Sequence, residues 1–333
     1  MKNIKDIKIL FLAHYAPKSL NDVIPTDIAD TVYAVYHHKI YKEIVKLFPN
    51  TVSSSDVSIL FQPNFKADYI FSLYNRLPFR NSEIFVSSVA EYLNIPYLGA
   101  TPNIRALAED KHLAKMMANY LNIPTPQWKT YNVGDELLEP SFRPPYFIKP
   151  RFGASSKYIS EDSACSSWHE AIKRIIFLHS VNIDVILEEQ IDGVYHTSPV
   201  LNNFGKALFL PCISQKSTHK GGIVTYEQKR KIEPGLNRTV LSDVNLTQKI
   251  HGYSKKMFSL TQPLDYTRFD YIVDNQGIPY FLEFNVCCNL GEHSTISQSA
   301  NALNISYTQL IENILYSSLY RNHLIQETFG KDF

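Results

Sequence analysis

The chain has 333 residues and a mass of 38.2 kDa, more than one hydrophobic core usually organises, so two or three packed subdomains are expected rather than a single small module. Its 44% hydrophobic and 20% charged residues exclude a disordered chain. Lys+Arg 33 against Asp+Glu 32 excludes a global basic field for nucleic acid or acidic membranes, so any anion must be held by a local cluster. No apolar run approaches the ~18 residues that span a bilayer, and the apolar segment 9–13 is too short for a signal-peptide core. The cytoplasm is therefore the expected compartment. Cys165, Cys212, Cys287 and Cys288 show neither CxxC spacing nor a partnering His pattern, which argues for reduced thiols over a zinc site or a disulfide framework.

In chain order, residues 7–13 read as a buried strand and 27–47 have helical spacing that ends at Phe48-Pro49-Asn50. Strands at 57–61 and 68–73 follow, then a helix at 81–93 and a strand around Tyr97-Leu98-Gly99. This alternation predicts a small parallel sheet with covering helices over residues 1–105. A helix at 110–121 ends at Asn122-Ile123-Pro124-Thr125-Pro126. Up to residue 213 strands dominate, at 146–149, 185–189, 194–201 and 207–213, with one helix at 167–179. The last segment, 214–333, reads as a helix at 239–259, strands at 266–273 and 279–286 joined by Asp274-Asn275-Gln276-Gly277, and a final helix at 306–323. The overall class is α/β (α+β), with no internal repeat.

The pair Arg268-Phe269-Asp270 and Glu283-Phe284-Asn285 carries the most chemistry. Side chains alternate along a strand, so Arg268 and Asp270 share a face, as do Glu283 and Asn285, and pairing of the strands would bring all four to one site. Asp, Glu and Asn form the oxygen set that hard Mg²⁺ prefers, with substrate phosphate oxygens and water completing its shell. A surface hairpin is the competing reading. The apolar neighbours Phe269, Tyr271, Leu282 and Phe284 at alternate positions argue against it, because carboxylates beside a buried face are costly unless compensated. Lys149 ends a strand before the small-residue turn Gly153-Ala154-Ser155-Ser156, a pattern that can hold phosphates and equally reads as a solvated lysine before an ordinary turn. Glu188 and Glu189 end an apolar strand where an adenine amino group could be recognised, although alone they read as an acidic strand end.

In this order the motifs resemble the D-alanine–D-alanine ligase branch of the ATP-grasp superfamily, from about residue 93 to 300. The resemblance opens with Asn94-Ile95-Pro96-Tyr97-Leu98-Gly99 and Glu109-Asp110-Lys111. It implies that Lys111 and Lys149 hold nucleotide phosphates, that Ser155 and Ser156 belong to the phosphate-covering loop, and that Glu188, five residues before Gly193, binds adenine. Tyr226-Glu227-Gln228-Lys229 looks like the family's lid pattern, with Lys229 reaching the γ-phosphate and Gly221-Gly222 in the same lid. Arg268 takes the role of the arginine on the acyl phosphate and tetrahedral intermediate. Asp270, Glu283 and Asn285 take that of the ligands to Mg²⁺ (or Mn²⁺), and Ser294 that of a contact to the second substrate's carboxylate.

Three departures stand out. Tyr195 replaces the acid expected on the ribose. Val286-Cys287-Cys288-Asn289 replaces Thr-x-Pro-Gly, leaving the Asn289 N–H as the oxyanion donor. The N-terminal segment lacks the Gly-Gly and Glu-x-Ser pattern for the first substrate, for which Asp27 or Asp30 are the candidate substitutes. The implied fold is ATP-grasp: an N-terminal parallel α/β part (1–105), a central part (106–213) and a C-terminal part with lid and metal site (214–333).

The implied activity is an ATP-dependent, ADP-forming carboxylate–amine ligase that makes an amide through an acyl phosphate. Because the departures fall on the substrate side, the expected substrates are amino acids or a small peptide other than D-alanine, and a carrier-bound acceptor is compatible with the same motifs. The alternatives are a divergent D-alanine–D-alanine ligase and a nucleotide-binding regulatory subunit without catalysis. Retention of Arg268 and of all three metal-ligand positions argues against the last. Homodimerisation is implied by the resemblance alone.

Overall fold

The computed structural model describes residues 4–24, 31–74, 77, 79–154, 156–219, 223–224, 228 and 234–326. Asp27, Asp30, Ser155, Gly221, Gly222, Tyr226, Glu227 and Lys229 lie outside the described residues.

The N-terminal sheet is parallel, with β1 (Ile9–Leu12) between β2 (Val52–Ser54) and β3 (Tyr69–Ser72). All four residues of β1 are buried, because both faces of this sheet are covered. Ile9 and Phe11 pack with Ile40 and Ile44 of helix α1 (Thr31–Leu47), while Leu10 and Leu12 pack with Val86 and Ala90 of α2 (Ile84–Tyr92). Residues 57–61, expected as a strand, form a 3₁₀ turn instead: the Asp56 carboxylate caps it by accepting the Ser58 N–H at 2.8 Å. The edge strand is the serine-rich 52–54, which pairs with β1.

Helices α3 (Pro102–Glu109) and α4 (Lys111–Tyr120) are separated at Asp110, whose extended backbone ends one helix and whose carboxylate accepts the His112 N–H of the next. The central sheet is four-stranded and antiparallel, in the order β4 (Trp128–Tyr131), β7 (Val185–Glu189), β5 (Tyr146–Pro150), β6 (Ala164–Cys165). Helix α5 (Trp168–Ser180) buries Ala171, Ile175 and Leu178 against it.

The C-terminal sheet has six strands, in the order β11 (Leu236–Val240), β10 (Ile213–Ser217), β8 (Gly193–Asn203), β12 (Tyr266–Asp274), β13 (Pro279–Asn285), with β9 (Lys206–Phe209) also on β8. The single strand expected at 207–213 is two strands, with Pro211, which has no N–H to give a ladder, between them. The helix expected from 239 begins at 244 as α6 (Val244–Leu260), where the Asp243 carboxylate accepts the Leu246 N–H; 236–240 pair instead with β10. A short helix α7 (Thr295–Asn301) and a longer one, α8 (Tyr307–Arg321), follow β13.

The hairpin of β12 and β13 pairs Arg268 with Asn285 and Asp270 with Glu283, then shifts register by a bulge between Asp270 and Tyr271. Leu282, expected on the core face, is the extra residue: it lines the cavity described below, and Phe281 takes its place in the core beside Tyr271. A bulge lets neighbours such as Leu282 and Glu283 face the same side, which strict alternation forbids.

Candidate active site

A cavity of about 440 Å³ lies between the central and C-terminal sheets, with α1 at one side. At one end Pro126, Phe147, Ile191, Ile272 and Leu282 form apolar walls beside Lys149 and Glu188, with Lys115 buried behind the glutamate. Glu188 is buried with Lys149 Nζ at 2.8 Å from one oxygen and Lys115 Nζ at 3.1 Å from the other. Burial alone would raise the Glu188 pKa, but the two ammonium groups outweigh it and hold the carboxyl below its usual range. Burial pushes Lys115 down to about 8, partly opposed by Glu188.

Lys111 is also buried; its Nζ donates to the Gly153 carbonyl at 2.5 Å and lies 3.8 Å from Glu283 Oε2. Burial lowers its pKa against the pull of Glu283. Lys115 was missed in the sequence reading, although it stands one helical turn (i+4) from Lys111 on the same face of α4.

The hairpin brings Arg268, Asp270, Glu283 and Asn285 to the cavity, as its spacing predicts. Arg268 Nε lies 3.3 Å from Asp270 Oδ2, and Asn285 Nδ2 donates to the same oxygen at 3.2 Å. Burial would lower the Arg268 pKa, but Asp270, Cys288 and Glu283 more than compensate and raise it. Asp270 Oδ1 accepts the Thr197 hydroxyl at 2.9 Å; Thr197 Oγ in turn accepts from Gln215 Nε2 at 2.9 Å, and Gln215 Oε1 accepts from Arg238 Nε at 3.1 Å. This row crosses β12, β8, β10 and β11. Thr197, Gln215 and Arg238 escaped the sequence reading because cross-strand register brings them together, not a local motif.

Among the described residues no group of three His, Cys, Asp or Glu side chains is gathered to hold a metal. The oxygen set here is two carboxylates and an amide, which suits a hard cation that takes part of its shell from phosphate.

The other end of the cavity is lined by Tyr33 and Tyr36 of α1, Tyr307 of α8, and the loop 287–295. Ser294 lines it, and its hydroxyl also caps α7 by accepting the Ser297 N–H at 3.1 Å. Asn289 lines it too, with its side-chain oxygen accepting the Gly291 N–H at 2.6 Å. Tyr195 lies in the wall where an acid was expected. Ser156 lines the cavity with a left-handed φ of 57°. The four cysteines form no disulfide; Cys287 receives an Arg105 N–H at 2.5 Å, and burial raises the Cys288 thiol to about 12.

Residues 114–316 match the family described as D-ala D-ala ligase C-terminus. The chain is 29% identical over 241 residues to D-alanine--D-alanine ligase B of Clostridium perfringens, covering 70% of this chain and 76% of that protein. It is 30% identical over 243 residues to D-alanine--D-alanine ligase of Clostridium beijerinckii, with the same coverage. The fold is similar to that of D-alanine--D-alanine ligase from Bacillus anthracis complexed with ATP: the TM-score is 0.74 at 18% identity, over 95% of this chain and 99% of the other. With the hairpin, the buried lysines and the ATP-grasp fold in place, the match over most of the chain makes this protein a member of the D-alanine–D-alanine ligase family, an ATP-dependent ligase that forms C–N bonds.

Proposed function

We propose that the protein activates the carboxylate of one amino acid or small peptide as an acyl phosphate, with release of ADP, and joins it to the amine of a second. The observation that carries this reading is the paired hairpin: Arg268, Asp270, Glu283 and Asn285 converge on a cavity whose other wall holds Lys149, and Lys111 is buried 3.8 Å from Glu283. Phosphoryl transfer needs little covalent help from a protein and much positioning and charge neutralisation, which this set supplies. In this reading Lys111 and Lys149 hold nucleotide phosphates, and Glu188, fixed between its lysines, faces the adenine pocket of Phe147 and Leu282. Asp270, Glu283 and Asn285 would hold Mg²⁺ (or Mn²⁺), which supplies Lewis-acid neutralisation of the phosphates when bound. Arg268 steadies the charge that develops when the amine attacks. Ser155, Ser156 and Lys229 complete the reading as loop and lid groups, and Tyr195 meets the ribose by contact of its ring or hydroxyl in place of a carboxylate.

The substrate half has its own chemistry. Tyr33, Tyr36, Tyr307 and the Cys287-Cys288-Asn289 loop surround the place where the joined groups would lie, and the substrates we propose are therefore amino acids or a small peptide other than D-alanine. The names of the relatives favour the second reading, a D-alanine–D-alanine ligase with an altered pocket.

The test is phosphate release from ATP and Mg²⁺ across D- and L-amino acids, singly and in pairs, with Arg268→Ala as control. Release should require an amino acid and fall about 100-fold or more in the variant, the scale for losing one donor to a developing oxyanion. Release with D-alanine alone at full rate selects the second reading. No stimulation by any member, with ATP still bound, removes the amino-acid reading.

A further inference from the structure

We infer that Arg238, on β11, selects the amine-bearing substrate by receiving that substrate's free carboxylate. This rests on the ligase reading above and names the chemistry of one of its substrates.

Arg238 lines the cavity with a guanidinium whose hydrogen-bond partners are neutral. Nε donates to Gln215 Oε1 and Nη1 to the His293 carbonyl, both at 3.1 Å. A guanidinium has about five N–H groups, so about three remain beyond these two. Among the described residues Arg238 forms no ion pair with a carboxylate, whereas Arg268 has Asp270. Burial, and next the charge of Arg268, push the Arg238 pKa down to about 10. Two guanidiniums thus share one end of the cavity with Asp270, and a substrate anion would give Arg238 a charged partner of its own.

The hydroxyl expected to meet the carboxylate is already committed. Ser297 Oγ donates to the Gly291 carbonyl at 2.8 Å, an oxygen that can only accept. Ser297 has no second proton, so in the 3.0 Å contact between the two serines Ser294 must be the donor. Ser294 therefore spends its one proton inside the loop. Arg238, held on the carbonyl of the preceding residue, brings to that loop the planar fork that fits a carboxylate.

The placement is directional. Because arginine only donates, Gln215 must turn its oxygen to Arg238 and its amide nitrogen to Thr197, whose hydroxyl then donates to Asp270. Arg238 is thereby fixed relative to the carboxylate of the reacting hairpin. An acceptor that reaches both would carry its carboxylate close to its amine, as a free amino acid does. An amino-acid amide or an acceptor whose carboxylate is esterified to a carrier would leave Arg238 without its anion.

The experiment separates activation from acceptor binding. Hydroxylamine has no carboxylate; its nitrogen attacks the acyl carbon, forms the C–N bond of a hydroxamate and expels inorganic phosphate. The full-length protein is given ATP, Mg²⁺ and the amino acid active in the phosphate-release panel, with hydroxylamine, the same amino acid, or its carboxamide as acceptor, and products are identified by mass. The wild type should make hydroxamate and should use the amino acid in preference to the carboxamide. In Arg238→Gln and Arg238→Lys the KM for the acceptor amino acid should rise about 30-fold, the scale of a lost charge-assisted pair, while hydroxamate formation falls less than about threefold. An equal fall of hydroxamate and amide formation, or equal use of amino acid and carboxamide by the wild type, overturns the assignment. Absence of hydroxamate from the wild type removes the ligase reading itself.

Discussion

Buried charge in this protein is compensated one group at a time, and where compensation is incomplete the protonation state follows the environment. Glu188 has two ammonium partners and is held ionised. Glu109, at the end of α3, has instead the Glu83 N–H at 3.2 Å and the Glu83 carboxylate nearby. Burial first, and then the charge of Glu83, raise its pKa to about 7. Between the unfolded value of about 4.3 and this value the folded protein holds a proton that the unfolded chain has released. Stability from Glu109 is therefore complete below that window and is lost as pH rises through about 7. Glu109→Gln should abolish this loss. Urea unfolding at pH 5 and pH 8 should show the wild type losing on the order of 2 kcal/mol more than the variant between the two. Superimposable pH profiles would show that Glu109 is already ionised in the fold.

Among elements, the tight approach of β8 to β12 depends on a missing side chain. A Cβ on Gly193 would overlap the Val273 carbonyl, and no flexible neighbour could yield. The need here is close backbone approach rather than a left-handed φ. Gly193→Ala should destabilise the protein by about 2 kcal/mol or more, as overpacking against backbone does. Because β12 carries Arg268 and Asp270, ATP-dependent phosphate release should fall in the same variant at temperatures where it remains folded. Retained stability with wild-type release would show that β12 moves away freely. The hairpin itself was legible because two alternating runs and a short turn are local. Its bulge was not: Leu282 and Phe281 are both apolar, and only packing against Tyr271 decides which enters the core.

At the scale of the whole molecule, Asp265 ties the N-terminal part to the C-terminal sheet. Its carboxylate accepts the Gly99 N–H at 2.6 Å, the Ser318 hydroxyl at 2.5 Å and the Arg321 Nε at 2.7 Å. Ser318 in turn accepts the Tyr69 hydroxyl at 2.6 Å, and Arg321 donates to the Tyr97 and Gly99 carbonyls, both at 3.2 Å. One carboxylate thus joins β3, the loop before α3, the entry to β12 and α8. Removing one partner of such a buried set leaves the others uncompensated, so Asp265→Ala should cost about 3 to 5 kcal/mol. Calorimetry should show a broadened or divided transition as the N-terminal part loses its coupling to the rest. A single sharp transition at the wild-type temperature would mean that apolar packing alone holds the parts together.

The sequence by itself determined the features carried by local spacing. The continuous apolar run of β1 marks a strand buried on both faces, alternation on β12 and β13 places Arg268, Asp270, Glu283 and Asn285 at one site, and the order of motifs points to the family. Tertiary structure alone decided what depends on neighbours distant in the chain. Residues 57–61 have strand-like composition, yet the Asp56 cap starts a 3₁₀ turn there and 52–54 take the place beside β1 instead. Lys115 became one member of a buried triad with Glu188 and Lys149 only when β7 placed Glu188 over α4. Arg238, Gln215 and Thr197 form one hydrogen-bonded row because antiparallel register aligns β11, β10 and β8 beside β12, and register is set by pairing across the sheet, which no periodicity within a single strand encodes.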